Sequence, residues 1–318
     1  AKANGTKIET IEGLTGWGKD LTPVQKAFHK TGASQCGYCI PGMVMAATSA
    51  LRENPSADIE EIKERLGGNI CRCTGYTKIF EAVELARDVL SGEANATVLD
   101  ADGAGTSYIG NNVRRLDAPS KVSGRLRYAG DMVMPGMLHM QVLRSPHAHA
   151  LIKSIDTSAA ENLPGVACVV TAADVPGEDG FGVFVHDQPI MARDRVRYVG
   201  EAIAAVAADD VLTAARAVSL IKIEYEPVAA VFDAEEAMQD GAPVVHDYAP
   251  DNIVKHIPIR KGDVEQGFAD ADLVVEQSYD TQAVEHAYLE PEAGLAYVDQ
   301  DDVVTVISPS QNITHHRH

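Results

Sequence analysis

Apolar positions recur with a helical period over the first ninety residues and alternate as strands do over much of the remaining chain. Thr22-Pro23 opens a helix, with Thr22 as cap and Pro23 where its missing N–H is harmless, and Val24, Ala27 and Phe28 form its apolar face up to Gly32. Met43, Ala46, Ala47, Ala50 and Leu51 keep the same period until Asn54-Pro55 ends the run. Asp58 and Glu61 make a capping-box-like start for a third helix carrying Ile59, Ile62 and Leu66, closed by Gly67-Gly68. A fourth runs from about Thr77 to Leu90, with Ile79, Val83, Ala86 and Leu90 on one side. Ahead of them, Lys7 to Ile11 alternates like a strand.

The pattern then loosens. Residues 91–112 are rich in Gly and Asn with little apolar order and read as a linker. From 113 to 258 strands and short helices alternate: Leu138–Leu143, Val166–Val170, Ala202–Val206 and Ile221–Tyr225 read as strands. Thr157–Asn162 reads as a helix, and so does Val211–Val218 behind the Asp209-Asp210 cap. A further domain starts near residue 259 and runs to 318. The expected fold class is therefore α followed by α/β, multidomain: a four-helix bundle, then an α/β domain, then the beginning of an α+β domain.

Composition narrows the partners. The 318 residues hold 46 acidic against 27 basic side chains, a formal charge of −19, which argues against nucleic acid and anionic membranes. No apolar run is long enough to span a bilayer. The absence of a signal peptide and the sparing use of cysteine lead us to expect a cytoplasmic protein.

Four of the five cysteines fall into two close pairs, Cys36-Gly37-Tyr38-Cys39 and Cys71-Arg72-Cys73. Each pair follows a Gly-containing turn and precedes a helix, whose N-terminus favours thiolate. The order helix, Gly turn, cysteine pair, helix thus occurs twice, and four short helices in two similar halves can bring all four sulfurs to one end. A centre held there lies near a surface, which suits electron transfer. Four thiolates suit zinc or an iron-sulfur cluster, and spacing alone does not choose between them.

Other residues invite chemistry less strongly. His147 and His149 could share one strand face as ligands, but no third ligand is evident, and turn histidines satisfied by backbone are commoner. Cys168 lies in an apolar strand-like run and reads as a small buried hydrophobe. Glu285, Glu290 and Glu292 beside Pro291 read as a solvated turn rather than an acid-base set. His315, His316 and His318, interrupted by Arg317, read as native sequence without a role.

Gln35-Cys36-Gly37-Tyr38-Cys39-Ile40-Pro41-Gly42-Met43 and Asn69-Ile70-Cys71-Arg72-Cys73-Thr74-Gly75-Tyr76 resemble the second 2Fe-2S domain of the molybdenum hydroxylases, the xanthine dehydrogenase and aldehyde oxidoreductase family. Arg144–Ala150, Leu163–Val166 and Tyr198–Glu201 resemble that family's α/β hammerhead domain, and Glu285–Glu292 with Val306–Asn312 resemble the opening of its molybdopterin-binding region. The resemblance implies a 2Fe-2S cluster on Cys36, Cys39, Cys71 and Cys73. It places Gln35 and the backbone near Gly42 on the route toward the pterin. It also makes Gln311 the glutamine that hydrogen-bonds an apical ligand of molybdenum; without it, Gln311 reads as a loop side chain bonded to backbone.

The implied division is a second 2Fe-2S domain at 1–90, a linker at 91–112, a hammerhead domain at 113–258 and the start of the molybdopterin domain at 259–318. The implied activity is hydroxylation of an aldehyde or N-heterocycle with water as oxygen source, electrons leaving through 2Fe-2S clusters. The implied cofactors are a 2Fe-2S cluster and molybdenum-molybdopterin, the latter held mostly by residues outside this chain. The implied partners are a first 2Fe-2S domain, the rest of the molybdopterin domain, and an electron-acceptor protein or flavin subunit, in a homo-oligomer. Residues 91–112 are too few for a flavin domain. The family's active-site glutamate has no match here, so this polypeptide alone is expected not to turn over. The competing reading is a zinc-stapled interaction module without redox function.

Overall fold

The computed structural model describes residues 3–15, 20–100, 109–110, 113–177, 180–182 and 185–314. Its contacts fall into two compact units, one formed by 1–132 with 278–318 and the other by 133–277.

The first unit is mainly helical: α1 (Ile11–Thr15), α2 (Pro23–Thr31), α3 (Ile40–Glu53), α4 (Ile59–Leu66), α5 (Thr77–Ser91) and α6 (Ala118–Val122). Thr22 caps α2 in a reciprocal box with Gln25, and Gly32 ends it at φ +71°, a left-handed conformation that glycine adopts without strain. Asp58 caps α4 by accepting from the Glu61 N–H, while the Glu61 carboxylate accepts from Asn54 instead of closing the box. The apolar faces read from sequence converge: Phe28, Ile40, Met43, Val44, Ile62, Ile79 and Val83 are buried in one core.

Two expectations change here. Lys7 to Thr10 form no strand, and Ile11 instead opens α1 with its side chain buried in the helical core. Among the described residues no strand pairs with residues 7–10, so alternation there has nothing to pair with. Within the linker, Ala96–Leu99 form a short 3-10 turn capped by Asn95, and Leu99 anchors it in the same core.

The second unit contains β1 (His139–Arg144), β2 (Ala150–Asp156), α7 (Ser158–Glu161), β3 (Val166–Thr171), β4 (Arg195–Val196), β5 (Ala202–Ala208), α8 (Val211–Val218), β6 (Lys222–Pro227), α9 (Ala234–Ala237) and α10 (Val264–Ala269). Two antiparallel three-stranded sheets have the orders β1-β5-β3 and β4-β2-β6. β5 is buried along most of its length because its alternate residues serve two cores: Ala204 and Val206 face one, Ile203 the other. Asp210 caps α8 by accepting from the Leu212 and Thr213 N–H groups at 2.9 and 3.0 Å.

Cys168 corrects the sequence reading: it is exposed. A register shift between Val166 and Cys168 breaks the alternation of β3, leaving both Ala167 and Cys168 at the surface. In the first unit β7 (Leu295–Val298) and β8 (Val304–Ile307) form a hairpin that the sequence reading did not assign.

Candidate metal centre

The two cysteine motifs meet at the edge of the helical core. Cys39 is the residue before α3, and Cys71 and Cys73 lie in the loop leading into α5. Cys71 is buried, and the other three are partly exposed. The sulfurs pair across the motifs rather than within them. The Cys36 and Cys73 sulfurs lie 3.6 Å apart, and Cys39 and Cys71 are near enough for each to shift the other's thiol.

Two thiols from each of two loops match the four-cysteine donor set that would hold a 2Fe-2S cluster. The donor set therefore fits a 2Fe-2S cluster.

The electrostatics divide the pair. Burial drives the Cys39 thiol up, reinforced by the hydrogen bond and charge of Cys71. Burial acts in the same direction on Cys71, but hydrogen bonds from the Thr74 hydroxyl and from the Thr74 and Cys73 backbone outweigh it and bring the thiol down.

Each loop has its own fastening. Gly37 has φ +93°, and a Cβ there would come within 2.6 Å of the Lys121 side chain. The Lys121 ammonium donates to the Gln35 carbonyl at 2.7 Å, and the Tyr128 hydroxyl donates to the Cys36 carbonyl at 3.1 Å. The Gln25 amide donates to the Val122 carbonyl, tying α6 to α2. These bonds tie residues 113–132 to the helical unit. In the second loop the Cys71 N–H donates to the Tyr76 hydroxyl at 2.9 Å, and Thr74 lies 3.2 Å from the Cys71 sulfur. Arg72 turns outward and donates to the carbonyls of His286 and Glu285 at 2.6 and 3.2 Å.

A cleft of about 490 Å³ opens beside Cys36, lined among others by Gln35, Lys121, Tyr128, Glu290 and Ser308–Ser310. Gln35 therefore stands where cluster loop and cleft meet. Gln311 follows the lining residue Ser310 and is exposed. Glu285 and Glu292 are exposed, whereas Glu290 is half-buried in the cleft wall. His149 is buried with its ring Nδ1 2.7 Å from the Ala229 carbonyl, to which it donates, and His147 packs edge-on against Tyr225. His315, His316 and His318 lie outside the described residues. Lys121 and Tyr128 were missed from sequence because they act on main-chain carbonyls about ninety residues away, with no motif to flag them.

Comparison with known proteins agrees with this geometry. A family model described as a 2Fe-2S binding domain matches residues 10–84. The aldehyde oxidase and xanthine dehydrogenase a/b hammerhead domain matches 123–229, and the molybdopterin cofactor-binding domain matches 245–318. Aldehyde oxidoreductase of Megalodesulfovibrio gigas is 34% identical over 333 residues, covering 99% of this chain and 36% of that protein. The nicotinate dehydrogenase large molybdopterin subunit of Eubacterium barkeri is 36% identical over 210 residues, covering 66% of this chain and 49% of that protein. The crystal structure of the aldehyde oxidoreductase from Desulfovibrio desulfuricans superposes with a TM-score of 0.82 at 32% identity, covering 94% of this chain and 35% of that one. The chain thus spans about a third of the length of the relatives it matches along nearly its whole extent. Among the described residues no helix is long and apolar enough to cross a membrane. With three family domains matched in succession, the chain belongs to the molybdenum hydroxylases, the aldehyde oxidase and xanthine dehydrogenase family.

Proposed function

We propose that this chain forms the cluster-bearing and cofactor-approach portion of a molybdenum hydroxylase that oxidises an aldehyde or an N-heterocycle. The observation that carries the reading is the cross-pairing of four sulfurs from two loops at the edge of the helical core. When bound, the molybdenum cofactor supplies the two-electron oxidation and the cluster supplies one-electron relay.

The chain's own residues then have separable tasks. Cys36, Cys39, Cys71 and Cys73 hold the cluster, with α2 to α5 acting as a four-helix scaffold in two halves. Gln35, in the cleft wall beside Cys36, would line the route toward the pterin. Gln311 contributes a hydrogen bond at the molybdenum side, supported by its place directly after the cleft residues Ser308–Ser310. Arg72 keeps the cluster loop against residues 285–286 and so fixes the distance an electron must cross.

The domain division we propose is 1–90 for the cluster domain, 91–112 for the linker, 113–258 for the hammerhead domain and 259–318 for the start of the molybdopterin domain. Partners are the remaining domains of the enzyme and an electron-accepting protein or flavin subunit, consistent with relatives that are named as subunits. Aldehydes are the first substrates to test, because the relative matched over 99% of this chain is an aldehyde oxidoreductase.

The test is substrate-driven bleaching in the intact enzyme that contains this chain. Anaerobic addition of an aldehyde should reduce the visible absorption of the cluster, and Gln311→Ala should slow that reduction without loss of iron. Bleaching by purines alone would move the substrate to N-heterocycles. No bleaching by either, in an enzyme that holds molybdenum and iron, would overturn the hydroxylase reading.

A further inference from the structure

Lys121 is 6% exposed, a degree of burial that few charged side chains reach among the described residues. An ammonium removed from water needs strong compensation, and this one has two partners at 2.7 Å: the Gln35 carbonyl and the Asp117 carboxylate. Asp117 also pairs with Arg115 at 2.8 Å and is held well below the usual carboxylate range, first by Arg115 and then by Lys121. The trio therefore carries a net positive charge beside the first cysteine loop.

The carbonyl that Lys121 grips belongs to the peptide joining Gln35 to Cys36. The N–H at the other end of that peptide belongs to Cys36, whose sulfur lies 3.6 Å from the Cys73 sulfur. A series of polar contacts thus runs from Asp117 through Lys121 to the peptide group that leads into Cys36. Hydrogen bonds in series polarise one another, more so away from water. Tyr128 grips the Cys36 carbonyl at 3.1 Å, so the neighbouring peptide is fixed as well. Donors to cluster sulfurs and nearby positive charge favour the form holding the extra electron.

We propose that Lys121 is a positioning residue that raises the reduction potential of the cluster on Cys36, Cys39, Cys71 and Cys73, by holding a buried positive charge on the Gln35–Cys36 peptide beside the first cysteine loop, with Asp117 as its counterweight. The inference rests on the cluster assignment under Proposed function.

The experiment is a redox titration, followed by EPR, of the full chain carrying its cluster after reconstitution with iron and sulfide. Lys121→Met removes charge and donor while keeping the packing against Gly37. At a fixed ambient potential it should lower the ratio of reduced to oxidised cluster about tenfold, a shift of about 59 mV toward more negative values for one electron. Lys121→Arg keeps charge and donor and should recover most of the wild-type potential. Asp117→Asn sits on a half-exposed residue, leaves the folding core untouched and should move the potential the other way, so it carries the test if Lys121→Met takes up no cluster. A wild-type potential in Asp117→Asn, or shifts of the same sign in Lys121→Met and Asp117→Asn, would overturn the proposal. A wild-type chain that takes up zinc and no iron would instead overturn the cluster assignment, and this inference with it.

Discussion

The loop at Cys36–Cys39 and the loop at Cys71–Cys73 supply equal numbers of sulfurs but are held in opposite ways. The first is gripped from a distance: Lys121 and Tyr128 take its carbonyls, and the Lys121 chain fills the space beside Gly37 that a Cβ would need. The second is held mainly by its own neighbours, Thr74 and Tyr76, with Gly75 and Tyr76 both in the left-handed region at φ +63° and +68°. No heavy atom lies within 4 Å of the position a Cβ would take on Gly75. The contrast teaches that one loop depends on tertiary structure already formed, while the other is largely prefolded by local hydrogen bonds.

The largest effect expected from breaking this pairing is in Cys71→Ser. It removes the buried sulfur of the four, and iron content and visible absorption should fall to near zero, with a lower melting temperature because ligand binding there is also folding energy. Full iron and an unchanged melting curve would show that Cys71 is not a ligand.

Next comes a matched pair that separates the two kinds of loop. Gly37→Ala adds left-handed strain to a collision with Lys121 and should cost roughly 3 kcal/mol in denaturant unfolding. Gly75→Ala meets only the strain, and about 1 kcal/mol is expected. Equal costs would mean that Lys121 yields easily and the first loop is no more dependent on its distant partner than the second.

A smaller effect is expected from removing one hydroxyl at each loop. Tyr128→Phe and Tyr76→Phe each lose one hydrogen bond to the main chain, worth about 1 kcal/mol. Hydrogen exchange should then rise around the first loop in one variant and around the second in the other. The smallest effect is Cys168→Ser, which should stay within about 0.5 kcal/mol of wild type because the residue is exposed on β3. In the cluster-loaded chain Cys168 should be the thiol that an alkylating reagent labels, and its substitution should abolish that labelling.

Much of the helical unit was legible because its signals are local. Thr22-Pro23, the 3.6-residue apolar periods and the two cysteine spacings all act within one turn or one loop, and the structure brings these four cysteines together. The strand reading at Lys7–Ile11 failed since alternation is necessary but not sufficient for a strand; a partner edge must exist. Cys168 was misplaced because a bulge shifts the faces of β3, and nothing in Val166-Ala167-Cys168-Val169-Val170 announces a bulge. Lys121 and Tyr128 escaped notice for a further reason. Carbonyl oxygens accept from any donor, so the residue that reaches them leaves no pattern in the sequence around them.

Metal and sulfide analysis of the purified chain, read with its reduced-state EPR, tests the cross-paired centre most directly. Two irons and two labile sulfides per centre, with a reducible 2Fe-2S signal that disappears in Cys71→Ser, are the predicted result. A colourless chain holding one zinc on the same four cysteines would contradict the account.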